Sequence, residues 1–220
     1  HRQPRPGGLI PMPPSPAAEL PPLHPLVAAA ARGELPAWAT ASPERRKHMA
    51  RVANLLKSWA EKRAEPPRER ARWMAAGYLH DSLRDSHEEG LRPEVAAEFR
   101  ELPTKVLHGP AAAHRLRSEG VEDEELLHAI AFHTLGSPGF RSLGLALFAA
   151  DFLEPGRKLR ERWRGQLRDR APEELERVVK EILEARIRHL LKRGRPIRAE
   201  TMAFWNRMSE GEGWASASEL

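Results

Sequence analysis

Eleven of the twenty prolines in this 220-residue chain fall within its first 43 positions, and that asymmetry decides where a regular fold can begin. Proline fixes φ and removes a backbone donor, so phrases such as Pro11-Met12-Pro13-Pro14 and Pro21-Pro22 can enter neither a helix interior nor a central strand. Residues 1–24 read as an extended tail, with residues 26–32 either a short docking helix or more of the same arm. The expected organisation is a proline-rich N-terminal extension over 1–43, one folded domain over 44–208 and a C-terminal tail over 209–220.

From Ser42 onward the punctuation is helical. Ser42 is a good N-cap, Pro43 suits the first helical position, and Glu44 complements the helix dipole in the first turn. Behind them Val52, Leu55, Leu56 and Trp59 form an apolar stripe with a period near 3.6, which stops before Pro66-Pro67. The same reading predicts helices near 68–80, 93–99, 110–119, 123–133, 141–153, 158–168, 173–193 and 201–208. No segment alternates with period two and β-branched enrichment, so the fold class is all-α, a helical bundle carrying a proline-rich extension.

The chain has no cysteine, which excludes disulfide scaffolds and thiolate zinc sites. Ten histidines and 31 carboxylates leave a His/Asp metal centre open. No apolar run is long enough to cross a membrane. The N-terminus lacks the charged, apolar and cleavage regions of a signal peptide, so a cytoplasmic location is expected. The chain begins at His1 and not Met, which leaves room for residues upstream.

Three histidines stand where a surface residue would not. His48 precedes Val52, Leu55 and Trp59 by four, seven and eleven positions, and so shares the buried face of its helix. His80 ends an apolar helix beside Asp81, and His133 follows Ile130 by three and Leu126 by seven. Buried imidazole needs a hydrogen bond or a metal. Asp151 is the sharper anomaly. It lies in the most apolar stretch of the chain, residues 143–153, where a lone carboxylate must be protonated, paired or bound to a cation. Inward His and Asp groups from several helices are what a divalent site inside a bundle requires.

The order of these residues carries a resemblance. His48, then His80-Asp81, then Asp151, with His108 and His133 between, resembles the signature of the HD-domain superfamily of metal-dependent phosphohydrolases. Longer phrases resemble its YqeK-like branch, the symmetrical bis(5'-nucleosyl)-tetraphosphatases: Arg45-Arg46-Lys47-His48, Ala76-Gly77-Tyr78-Leu79-His80-Asp81, Leu107-His108-Gly109-Pro110, His133-Thr134-Leu135-Gly136, and Ala150-Asp151-Phe152-Leu153-Glu154-Pro155-Gly156-Arg157. The likeness runs from His48 to Asn206 and leaves the proline-rich arm unexplained. Two positions depart from the family pattern: Arg84 stands where Lys is usual, and Phe140 where Met is usual. Neither touches a ligand position.

The resemblance implies an HD-domain bundle that cleaves diadenosine tetraphosphate and related dinucleoside polyphosphates into two nucleoside diphosphates through a metal-activated water. It implies His48, His80, Asp81 and Asp151 as metal ligands, with iron the family's ion. Manganese, cobalt, nickel and zinc suit the same donors, and one or two ions fit, a second being shared through Asp81. His108, His133 and Asp81 would be catalytic. Arg51, Arg84, His108, His133, Thr134, Arg157, Arg195 and Arg198 would hold the dinucleoside polyphosphate or nucleoside diphosphate.

Between Arg157 and Arg207 there are 16 basic and 8 acidic side chains, a field that would steer a polyanion. Many of them, Arg164 and Arg186 included, read as solvated helix positions. A nucleic-acid-binding class is disfavoured because the bases are interleaved with Glu173, Glu174, Glu176, Glu181 and Glu184 and no recognition motif is visible. The alternatives kept are an HD nucleotidase or phosphodiesterase acting on another nucleotide, and a non-catalytic nucleotide-binding HD protein. A homodimer is compatible with the sequence. His1, His24, His87, His114, His128 and His189 read as structural or exposed.

Overall fold

The computed structural model of the chain describes residues 21–210, within which nine α-helices and three 3-10 turns are found and no strand. In order they are α1 (Pro25–Ala31), α2 (Pro43–Lys62), α3 (Pro67–Leu79), 3-10 turns at Glu88–Glu94, Ala97–Phe99 and Thr104–Val106, then α4 (His108–Ser118), α5 (Glu124–Phe132), α6 (Ser142–Leu153), α7 (Glu161–Arg170), α8 (Leu175–Lys192) and α9 (Ala199–Met208). No helix among the described residues is long and apolar enough to cross a membrane. Of the tails expected at 1–24 and 209–220, residues 1–20 and 211–220 lie outside the described residues.

Helix α6 is the axis of the bundle. Every residue from Leu143 to Ala150 is buried, as is Leu153. A helix apolar all round must be enclosed, and α2, α3, α5, α7 and α8 surround it. Helix starts follow their caps: Ser42 Oγ accepts from Arg45 N at the head of α2, and an Asp123 carboxylate oxygen accepts from Leu126 N at the head of α5. Asp123 also takes a bidentate pair from the buried Arg72 of α3, at 2.7 Å for each bond, tying α3 to α5.

Three expectations are corrected. The helix predicted at 93–99 is absent. Pro93 sits inside the first 3-10 turn, and Val95 is extended at φ −104° and ψ 152° with its side chain buried, so the chain must restart at Ala97. Helix α7 begins at Glu161, not near 158, because Arg160 adopts a left-handed φ of 57° with its guanidinium over the Trp163 ring. Part of the segment assigned to the extension belongs to the packed fold: α1 docks on α3 with Val27 and Ala30 in the core, while His24 caps it by accepting from Leu26 N.

Two glycines set the distances between the helices that matter below. A Cβ at Gly77 of α3 would lie 2.5 Å from the Ala53 Cα of α2, and one at Gly109 of α4 would lie 2.7 Å from the Ile130 carbonyl of α5. Both obstacles are backbone, so neither can swing aside. Gly77→Val is expected to cost about 3 kcal/mol of stability or more by prying α2 from α3, checked by urea unfolding; an unchanged midpoint would contradict the close contact.

Candidate metal centre

The two close helix contacts bring polar side chains together at helix ends. His80 is the C-cap of α3, with Asp81 beyond it; His108 is the first residue of α4, His133 the C-cap of α5, and Glu154 the C-cap of α6. His48 comes from within α2 and Asp151 from the last turn of α6. His80, His108, His133, Asp81 and Glu154 are each 5% exposed or less, and His48 8%.

Asp81 is the centre of the cluster. One of its carboxylate oxygens, Oδ2, lies 3.7 Å from His48 Nε2 and 3.8 Å from His80 Nε2. The other, Oδ1, lies 3.1 Å from His108 Nε2 and 3.5 Å from His133 Nε2. Asp151 Oδ1 faces the first pair, 3.2 Å from His48 Nε2 and 4.0 Å from His80 Nε2. Three donor groups are close enough to hold an ion: His48, His80 and Asp81; His80, His133 and Asp151; and Asp81, His108 and His133.

The rings are oriented from behind. His80 Nδ1–H donates to the Gly77 carbonyl at 2.9 Å and His133 Nδ1–H to the Ile130 carbonyl at 2.8 Å, while His48 Nδ1 meets Glu154 Oε1 at 3.3 Å. With its Nδ1–H spent on the backbone or a carboxylate, an imidazole turns its Nε2 lone pair inward, which is how metal-binding histidines are commonly held. The inward Nε2 atoms of His48 and His80 are buried and have no hydrogen-bond partner. Two orphaned imidazole lone pairs beside two carboxylates fit a divalent cation.

Charge agrees with this geometry. Burial opposes ionisation of Asp81, but His80, His108 and His133 hold its carboxyl well below the usual carboxylate range. Asp151 is likewise lowered against the effect of burial, by His48, His80 and Arg157. Desolvation pushes the His80 imidazole down to about 4 and lowers that of His108. At neutral pH the cluster therefore offers anionic carboxylates and a neutral His80, so cation binding need not displace a proton from that ring.

Arginines flank the cluster. Arg45 donates to Asp81 Oδ2 at 2.8 Å, Arg157 to Asp151 Oδ1 at 2.9 Å, and Arg51 to Glu154 Oε2 at 2.5 Å. Thr134 Oγ1 lies 3.2 Å from His133 Nε2. Arg84 donates to the Lys105 carbonyl at the edge and adds its charge to the surroundings of His108. Arg195 and Arg198 are exposed between α8 and α9, and their side chains make no hydrogen bond or ion pair among the described residues. His128 is turned elsewhere, onto Ser137 Oγ at 2.8 Å.

Sequence reasoning passed over Glu154 and Arg45 as site residues. Glu154 carries a readable signal: an acid at the C-terminus of an apolar helix, where the helix dipole disfavours it, needs compensation. Arg45 lies three positions before His48 and so shares its face. Two arginines read as solvated are corrected: Arg164 is buried and donates to the carbonyls of Phe152 and Leu159, and Arg186 donates to the carbonyl of Thr134. Each lies among the buried positions of its helix, a placement masked by the many basic residues around it.

Residues 45–182 match the HD domain family. The chain belongs to the HD domain family. A symmetrical bis(5'-nucleosyl)-tetraphosphatase of Halalkalibacterium halodurans is 36% identical over 107 residues, covering 47% of this chain and 55% of the relative. The Bacillus subtilis protein of the same name is 27% identical over 144 residues, covering 62% of this chain and 75% of the relative. The chain thus spans just over half of the first relative's length. A crystal structure from Clostridium acetobutylicum, described as a predicted HD superfamily hydrolase involved in NAD metabolism, has the same fold. It aligns with a TM-score of 0.66 at 24% identity, covering 76% of this chain and 89% of that one.

Proposed function

We propose that this HD domain is a metal-dependent phosphohydrolase that cleaves dinucleoside tetraphosphates, diadenosine tetraphosphate among them, symmetrically into two nucleoside diphosphates. The observation that carries the reading is the divided carboxylate of Asp81, one oxygen turned to His48 and His80 and the other to His108 and His133. The names of the two bacterial relatives supply the substrate class.

His48, His80, Asp81 and Asp151 would hold the ion, which we assign as iron from the family resemblance, with manganese, cobalt, nickel and zinc compatible with the same donors. Asp81, His108 and His133 would take a second ion if one is bound. Held there, a divalent cation supplies Lewis-acid polarisation of a phosphoryl oxygen and acidifies water.

The protein's own groups do the rest. His108 and His133 present Nε2 atoms 3.1 Å apart at one wall of the cluster, positioned to hydrogen-bond a phosphate oxygen or to deliver a proton to the departing diphosphate. A tetraphosphate carries about four negative charges, and in-line transfer depends mainly on placing and neutralising them. The exposed Arg157 and the half-buried Arg45 pair with cluster carboxylates, so an arriving phosphate can recruit either guanidinium. Arg51, held by Glu154, would extend this cationic flank, and Arg84, Arg195 and Arg198 are assigned to the nucleotide on the family resemblance.

Metal-loaded protein incubated with diadenosine tetraphosphate is expected to yield two ADP per substrate by ion-exchange chromatography. AMP plus ATP would mean asymmetric cleavage and overturn the reading. Bound metal without turnover would move the chain to the non-catalytic nucleotide-binding class.

A further inference from the structure

Arg186 occupies the apolar face of α8, three, four and seven residues after the buried Leu183, Ile182 and Val179. Its guanidinium lies over the Phe148 ring, 4.9 Å from the centroid, and one Nη2–H donates to the Thr134 carbonyl at 2.5 Å. Phe148 stands three residues before Asp151 on α6, and Thr134 directly follows His133. The charge is therefore pinned between the two segments that bring Asp151 and His133 to the cluster.

No carboxylate among the described residues comes within ion-pair distance of it. The residue is half-buried, and apart from the Thr134 carbonyl its guanidinium has no hydrogen-bond partner among the described residues, while its free donors are not sealed from solvent. Arginine cannot shed its proton, so a guanidinium seated on a ring with most of its donors unspent and still reachable is preset to take an anion. Arg164 makes the contrast. It also stacks on a ring, that of Phe152, but its donors are filled by two backbone carbonyls.

We propose that Arg186 is a phosphate-binding residue of this site, offering its guanidinium fork to a phosphate oxygen of the nucleotide lying beside His133 and Asp151. For the identity of that nucleotide the assignment rests on the phosphohydrolase reading; for the anion it rests on the geometry alone. The planar fork suits phosphate oxygens in a way that a lysine point charge does not.

The test is calorimetric titration of metal-loaded wild type, Arg186→Met and Arg186→Lys with ADP and, separately, with inorganic pyrophosphate. Methionine keeps an apolar stem over Phe148 without the charge. Arg186→Met should bind both probes about 10- to 100-fold more weakly, with metal content and thermal midpoint unchanged, and should raise KM more than it lowers kcat. Arg186→Lys should recover part of the affinity. An Arg186→Met protein that binds pyrophosphate as tightly as wild type would overturn the proposal, as would an unchanged affinity in Arg186→Lys should the methionine variant fail to fold. Wild type that binds pyrophosphate through Arg186 without cutting dinucleoside tetraphosphates would sustain the anion site and defeat only the substrate assignment.

Discussion

Asp81→Ala should abolish both metal retention and turnover while leaving the helical content intact. Among the described residues, Asp81 is the one carboxylate within 4.0 Å of all four cluster histidines. Removing it strips every candidate cation position built on it of an anionic ligand. It also leaves the remaining charge balance to Asp151, which is already engaged by Arg157. Losing a ligand that supplies several kcal/mol of transition-state stabilisation corresponds to about a thousandfold or more in rate. The fold itself does not depend on this side chain, because α2, α3 and α6 are joined by the apolar core around Val52, Leu79 and Leu147. Metal analysis after dialysis and a product assay check the prediction together. Wild-type metal content in Asp81→Ala would remove the centre of the account.

Glu154→Gln should produce a different failure, one that added metal can repair. Glu154 reaches the cluster through His48. It accepts from Arg51, from the Gly156 backbone N–H, and meets the Nδ1 of His48, and these partners hold its carboxyl below the usual range even though burial opposes this. Its work is to keep His48 in the tautomer that turns Nε2 inward and to make that nitrogen a better donor. The amide keeps the shape and loses the charge. Metal affinity should fall about 10- to 100-fold, with kcat returning toward the wild-type value as the free metal concentration is raised. Failure of Asp81→Ala to respond to the same titration is the expected contrast. If Glu154→Gln and wild type bind metal equally, the carboxylate only anchors Arg51.

How much of this was legible in the residues follows from what each residue type must satisfy locally. Ser42-Pro43-Glu44 announces a helix by capping chemistry alone, and α2 begins there. His48, His80 and Asp151 stood out because each interrupts an apolar stripe, a conflict visible in one dimension. The turn at Pro93 was not visible, since Pro at a first helical position and Pro within a 3-10 turn look alike until Val95 is seen buried and extended. Arg186 was hidden by abundance: one inward cation among sixteen basic side chains is revealed only when α8 docks on α6. The proline-rich start left α1 as one of two readings of residues 26–32, because its burial depends on the face of α3 that receives it.

The central claim is that His48, His80, Asp81 and Asp151 hold a divalent cation. The most direct measurement is anomalous diffraction from crystals of the protein equilibrated with manganese. A single strong peak in contact with those four side chains is expected, with any second peak on the other oxygen of Asp81 between His108 and His133. An ordered manganese ion bound elsewhere while this cluster shows no peak would contradict that claim.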